Sequence, residues 1–145
     1  MRKTFIETLT ELARKDKDIM LITGDLGFSV FENFATAFPN QFINCGIMEQ
    51  AMVSIAAGLA LSGKKPYVYS IIPFATMRPF EQIRNDVCYQ NANVKIIGVG
   101  TGFAYGALGS THYAIEDIAI LKSLPNITIL SPADSVETRA LTLQS

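Results

Sequence analysis

The chain has 145 residues, enough for one hydrophobic core, with 49% hydrophobic and 17% charged residues and a formal net charge of −1. No Lys/Arg run is longer than Lys64-Lys65, so a nucleic-acid or membrane-surface role has no electrostatic basis, and no segment reaches the roughly 18 apolar residues of a membrane span. Cys45 and Cys88 are the only cysteines and lack metal-ligand spacing, and there is no signal-peptide core; the expected compartment is the cytoplasm.

In chain order, Phe5, Ile6, Leu9, Leu12 and Ala13 share one face of a helix over residues 3–15. Ile19-Met20-Leu21-Ile22 reads as a buried strand ending at Thr23-Gly24-Asp25. A short helix from Phe31 to Phe38 is stopped by Pro39, and Phe42 to Cys45 is a second strand. A helix from about Met48 to Leu61 is closed by Gly63, and Tyr67 to Ile71 is the next strand. Pro79 suits the first turn of a helix running to Tyr89. Val94 to Val99 is the most continuous apolar strand. A glycine-rich loop, a helix near Ile115 to Leu121, a last strand Ile127 to Leu130 and a helix opened by Pro132-Ala133-Asp134 complete the set. The closing run Glu137 to Ser145 has no stop signal, and the expectation is a subunit or a piece of one.

Strands that alternate with helices and are apolar throughout predict an α/β domain, with a mostly parallel sheet covered by helices on both faces. No linker or internal repeat interrupts residues 1–145, so one domain is expected. Ligands of such sheets bind beyond the carboxyl ends of the strands. The loops there are Gly24–Ser29, Gly46–Glu49, Ile72–Met77, Gly100–His112 and Ser131–Asp134. A dinucleotide fingerprint is excluded, because the third glycine after Gly98 and Gly100 would fall at Phe103.

Within those loops, Gly46-Ile47-Met48-Glu49-Gln50 opens a helix. A carboxylate in a first helical turn is commonplace, since it complements the helix dipole. Glu49 is set apart by Ile47, Met48, Met52 and Val53, which predict a dry setting. Dryness favours the protonated acid, a form that can donate to a ring nitrogen.

The run from Gly46 to Ala60 resembles the signature of transketolases and deoxyxylulose-phosphate synthases. Lys65-Pro66-Tyr67-Val68, Thr111-His112, Ile115-Glu116, Leu124-Pro125-Asn126 and Ser131-Pro132-Ala133-Asp134 match in the same order. The resemblance covers essentially the whole chain and is to the pyrimidine-binding domain of the thiamine-diphosphate-binding fold. It implies that Glu49 bonds the aminopyrimidine ring of thiamine diphosphate and shuttles the proton that readies the cofactor. Only a carboxyl can both bond and transfer there; Gln could bond but not transfer.

The same resemblance implies that Phe74 packs on the aminopyrimidine and that His112, the only histidine, bonds substrate hydroxyls at the rim. Asp25 matches an acidic residue after the first strand, and Ile71 falls beside the cofactor. Arg2 and Ser29 match positions that grip a sugar phosphate. Arg78 stands either at the site or on an exposed helix start. Two departures stand out. Gly106-Ala107-Leu108-Gly109 replaces the family's acidic loop, and Gly100 replaces a second family histidine, so recognition of a standard polyol is altered.

The family's Gly-Asp-Gly signature, which holds a Mg2+ or Ca2+ ion on the diphosphate, does not occur here. The resemblance therefore implies a diphosphate-binding transketolase subunit or domain as partner, in a homodimer or heterotetramer, and a small sugar-like substrate. The expected activity is transfer of a two-carbon ketol unit. Decarboxylating relatives (deoxyxylulose-phosphate synthase, the β subunit of 2-oxoacid dehydrogenases) and a non-catalytic scaffold are the alternatives.

Overall fold

A computed structural model describes all of residues 1–145. The elements run α1 (Arg2–Lys15), β1 (Ile19–Thr23), α2 (Glu32–Ala37), β2 (Phe42–Asn44), α3 (Glu49–Leu61), β3 (Lys65–Ile71), α4 (Ile72–Thr76), α5 (Phe80–Gln82), β4 (Lys95–Val99), α6 (Asp117–Leu121) and α7 (Ser135–Gln144). One turn into α5 the helix widens into a π-helical stretch, Ile83–Cys88. The strands form one parallel four-stranded sheet in the order β2-β1-β3-β4.

The sheet is apolar throughout because helices cover both faces. On one face Phe5, Leu9, Phe34, Leu21, Tyr67 and Tyr69 join α1 and α2 to β1 and β3. On the other, Met52, Val53 and Ala56 of α3 and Ile83 and Val87 of the π-helical stretch pack on Ile22 and Val68. Alternate residues of one strand thus enter opposite cores, the period-two rule of a pleated strand. Burying a Leu- or Phe-sized side chain stabilises by about 1.5–3 kcal/mol, so the two clusters hold the sheet between its helices.

Polar contacts fix the ends. Buried Gln41 donates to the carbonyls of Asp16 at 3.0 Å and Ile19 at 2.9 Å, tying the exit of α1 to the entry of β1. Asp134 caps α7, accepting from the Val136 and Glu137 amides. The Arg139 guanidinium then forks onto Glu11 at 3.0 and 2.8 Å and clasps α7 to α1.

Two sequence expectations fail. Ile127 to Leu130 forms no strand and pairs with none. Its alternation is that of half-buried Ile127 and Ile129 beside exposed Thr128 and Leu130, and Ile127 packs on the α3-side core without a ladder. Alternating polarity specifies which way side chains face; it does not specify a hydrogen-bonded neighbour. Ile72 to Met77, read as loop, is mostly helix: α4 begins directly where β3 ends, with Pro73 in its first turn. A proline there loses no helical hydrogen bond and arrives with its φ already set. The helices expected over Phe31–Phe38 and Ile115–Leu121 form as the shorter α2 and α6.

Candidate active site

The carboxyl ends of β1, β2 and β3 converge on the start of α3. A Cβ on Gly24 would lie 3.2 Å from the Gly46 carbonyl oxygen and 3.9 Å from Glu49 Cγ, so the backbone closes directly over the stem of that glutamate. Asn44 bridges the two strand ends. Its Oδ1 accepts the amides of Asp25 at 2.9 Å and Gly46 at 3.0 Å, and its Nδ2 donates to Asp25 Oδ1 at 3.3 Å. Asp25 itself is exposed and holds a positive φ of 56°. Sequence patterns did not single out Asn44. The available signal was an Asx residue two positions before the Gly46 turn.

Glu49 is 4% exposed and lies in the first turn of α3. Met52 and Val53 are wholly buried beneath it, whereas Ile47 and Met48 are 71% and 55% exposed. The dryness therefore comes from the helix's inner face and not, as the sequence suggested, equally from the residues before it. The carboxylate also has a charged partner. Arg78 Nη1 donates to both Oε1 and Oε2 at 3.0 Å. Arg78 follows α4, and its side chain is 46% exposed. It lies in the turn before α5, partly exposed, with its guanidinium against Glu49.

Arg78 in turn covers Phe74, its Cζ lying 3.9 Å from the ring centroid. Phe74 sits mid-α4, and the His112 ring meets it edge-on at 4.9 Å. His112 closes a short 3₁₀ turn, Ser110–His112, with Nδ1 3.0 Å from the Thr111 hydroxyl. Glu49, Arg78, Phe74 and His112 thus form one continuous line of contacts drawn from α3, α4 and the loop after β4. Ile71, half-buried, is the N-cap residue of α4 and fixes where that helix departs.

The glycine-rich loop carries Tyr105, which no sequence motif marked. Gly100 has φ 86°, and a Cβ there would meet the Tyr105 ring at 2.2 Å. Only glycine leaves room for that phenol, whose ring stands 6.3 Å from that of His112. Leu108, in the following turn, is 57% exposed and offers no acceptor in its side chain.

Arg2 and Ser29 are brought together, but elsewhere: they line a polar groove of about 810 Å³ between α1, the segment before α2, and Arg139. Arg2 also approaches Tyr69; burial pushes that phenol up to about 12, against the opposing pull of the guanidinium. No group of three His, Cys, Asp or Glu side chains is placed to hold a metal ion, and no helix is long and apolar enough to cross a membrane.

The family model for the transketolase pyrimidine-binding domain matches residues 1–145. An apulose-4-phosphate transketolase subunit of Phocaeicola vulgatus is 50% identical over 141 residues, covering 97% of this chain and 45% of that protein. A 6-deoxy-6-sulfo-D-fructose transketolase subunit of a Clostridium species is 36% identical, covering 97% and 44%. Among solved structures, a split-gene transketolase described as an inactive β4 tetramer superposes with a TM-score of 0.86 at 40% identity, covering 99% and 46%. The transketolase of Pichia stipitis in complex with sedoheptulose 7-phosphate superposes with a TM-score of 0.83 at 25% identity, covering 96% and 22%. The chain spans less than half the length of the curated relatives it matches. The buried carboxylate at the strand ends, the fold and the match along the whole chain agree: this chain belongs to the family of transketolase pyrimidine-binding domains.

Proposed function

We propose that residues 1–145, as one domain, form the aminopyrimidine wall of a thiamine-diphosphate-dependent enzyme that transfers a two-carbon ketol unit between sugar-like substrates. The observation that carries this is Glu49, 4% exposed, facing Phe74 across a space bridged by one planar guanidinium. A flat group with in-plane N–H donors already makes both contacts, edge to the carboxylate and face near the phenyl ring, so the residues fit an aminopyrimidine. The bound cofactor supplies a nucleophilic carbon and an electron sink for the ketol fragment.

This chain's residues do the rest. Glu49 accepts and returns a proton at the ring edge, a role its fixed place in α3 makes repeatable. Phe74, with Ile71 behind it, fixes the plane of the ring, and the Asn44–Asp25 pair keeps the strand ends at their spacing. His112 stands at the outer end of the line, where an imidazole can bond a substrate hydroxyl. Arg2 and Ser29 hold an anionic group of the substrate in the polar groove, Arg by charge and by the planar fork of its donors.

A diphosphate-binding protein chain or domain supplies the opposite wall and a Mg2+ or Ca2+ ion. Exposed Ile47 and Met48 beside the buried acid form the apolar rim on which such a wall would close. The relatives named as a split-gene transketolase and as transketolase subunits support a separate partner chain, and the assembly is a homodimer or a heterotetramer. Leu108 and Gly100, in place of polar family residues, favour a donor or acceptor with fewer hydroxyls to read than a standard pentose phosphate.

The test is Glu49→Gln in the complex reconstituted with its diphosphate-binding partner. Ketol transfer should fall by about 10²–10⁴-fold, the range for losing a positioned proton-transfer group, while the assembly stays intact. Undiminished transfer would leave only a scaffold.

A further inference from the structure

The guanidinium of Arg78 occupies the place that the proposed function gives to a flat heteroaromatic ring. It bonds both oxygens of Glu49 through one nitrogen at 3.0 Å and lies over Phe74 at 3.9 Å. A guanidinium can make both contacts at once because it is planar, donates in its plane and stacks through its face. An incoming aminopyrimidine needs the same carboxylate edge and the same phenyl face, and neither contact can be shared. We infer that Arg78 is a placeholder for the cofactor ring: it seats on Glu49 and Phe74 before the cofactor binds and swings out to admit thiamine diphosphate.

The two ends of the ion pair differ in freedom, and this says which one moves. Glu49 is buried in the first turn of a helix packed on the sheet, with Gly24 closing over its stem. Arg78 lies between α4 and α5, with 46% of its side chain exposed. Its guanidinium makes no hydrogen bond within this chain except those to Glu49, and nearly half of its side chain is exposed. Release costs Arg78 little, since water replaces what it loses. For Glu49 the exchange is needed, because a buried carboxylate without a partner is strongly unfavourable. The arginine thus keeps the cofactor-free site intact and is displaced only by a group that satisfies Glu49 in its stead.

Such a placeholder competes with the ligand, and its removal has an unusual signature. The apparent affinity of a site open for only a fraction of the time is reduced by that fraction. In the complex with its diphosphate-binding partner, thiamine diphosphate with Mg2+ is titrated calorimetrically into wild type, Arg78→Met and Arg78→Lys. Thermal unfolding is recorded with and without cofactor.

Arg78→Met should bind about ten-fold more tightly, as expected if the open state is about a tenth of the wild-type population. Its cofactor-free form should melt lower than wild type, with most of the deficit recovered on loading. Arg78→Lys keeps the charge without the planar stack and should fall between. Weaker binding by Arg78→Met would overturn the inference and make Arg78 a direct ligand; unchanged binding would overturn it as well. Should Arg78→Met not assemble, Arg78→Gln, which keeps a donor for Glu49 but no charge, takes the same two measurements with the same expectations. This inference rests on the proposed function, and the two fail differently. A wild-type complex that binds no thiamine diphosphate sinks both, whereas one that binds it without the gain in Arg78→Met sinks the placeholder alone.

Discussion

The molecule contains two arginine–glutamate pairs of similar length that do different work. Arg139 meets Glu11 as a two-pronged fork at 3.0 and 2.8 Å, with both side chains close to half exposed. Arg78 meets Glu49 through a single nitrogen at 3.0 Å, and there the arginine is half exposed while the glutamate is buried. The better geometry belongs to the pair that matters less. An exposed pair exchanges water for an ion at nearly even terms, whereas a buried carboxylate has no water to return to. Burial of one partner, more than the quality of the hydrogen bonds, turns an ion pair into a site.

Exchanging the charges one at a time can break that contrast. The largest difference is expected in activity: against the loss expected of Glu49→Gln, Glu11→Gln, which lies in the wall of the Arg2–Ser29 groove, should change the KM of the assembled enzyme by a few-fold at most and leave kcat within about two-fold of wild type, since it touches no reacting atom. Next comes stability. In the cofactor-free protein, Arg78→Met strands the Glu49 carboxylate and should cost about 2 kcal/mol by urea unfolding, the penalty of an unpaired buried polar group. Arg139→Met should lower the urea midpoint by less than Arg78→Met does, since both partners of its pair stay half exposed. A larger loss from Arg139→Met than from Arg78→Met would reverse the comparison.

Acid gives a gentler test. The Arg139 hydrogen bond holds the Glu11 carboxyl below its ordinary 4.5, and the Lys65 hydrogen bond does the same for Asp16. Groups lowered in the folded state contribute stability above their unfolded values and lose it as pH falls through the folded ones. The α1–α7 clasp should therefore loosen only in acid, seen as faster amide exchange in α7 than in the sheet. At the other extreme the Tyr69 phenol, pushed up to about 12, contributes fully below its ordinary 10.0 and loses that contribution as pH rises through the raised value. Absorbance titration should show one of the five tyrosines ionising late. The smallest effect is expected for Glu7→Ala: the Lys3–Glu7 pair at 3.8 Å is exposed on both sides, and its loss should leave the urea midpoint unchanged.

Much of this was legible along the chain, for reasons that name themselves residue by residue. Met20, Leu21 and Ile22 are apolar in succession because both sides of β1 are covered, and that is visible without coordinates. Glu49 stood out because the run from Gly46 to Ala60 resembles a family signature; the local pattern, a carboxylate following a strand amid Met and Val, was only suggestive. Arg78 could not be assigned between site and surface, because its partner lies 29 positions away and no periodicity links a residue after α4 to the first turn of α3. Tyr105 was missed for the same reason; its meaning depends on the bare backbone of Gly100, and a glycine in a loop looks the same whether or not a ring lies on it.

By itself the sequence determined the alternation of strands and helices, the two-sided burial of the sheet and the position of the acid at a strand's carboxyl end. These follow from local periodicity and from where apolar residues can go. The tertiary structure alone decided which cation meets that acid, that Ile127 to Leu130 stays outside the sheet, and that Arg2 and Ser29 share a groove apart from Glu49. Each of these is a choice among distant partners, and such choices are made by packing in three dimensions, where burial sets the energy of a contact and sequence separation says nothing about it.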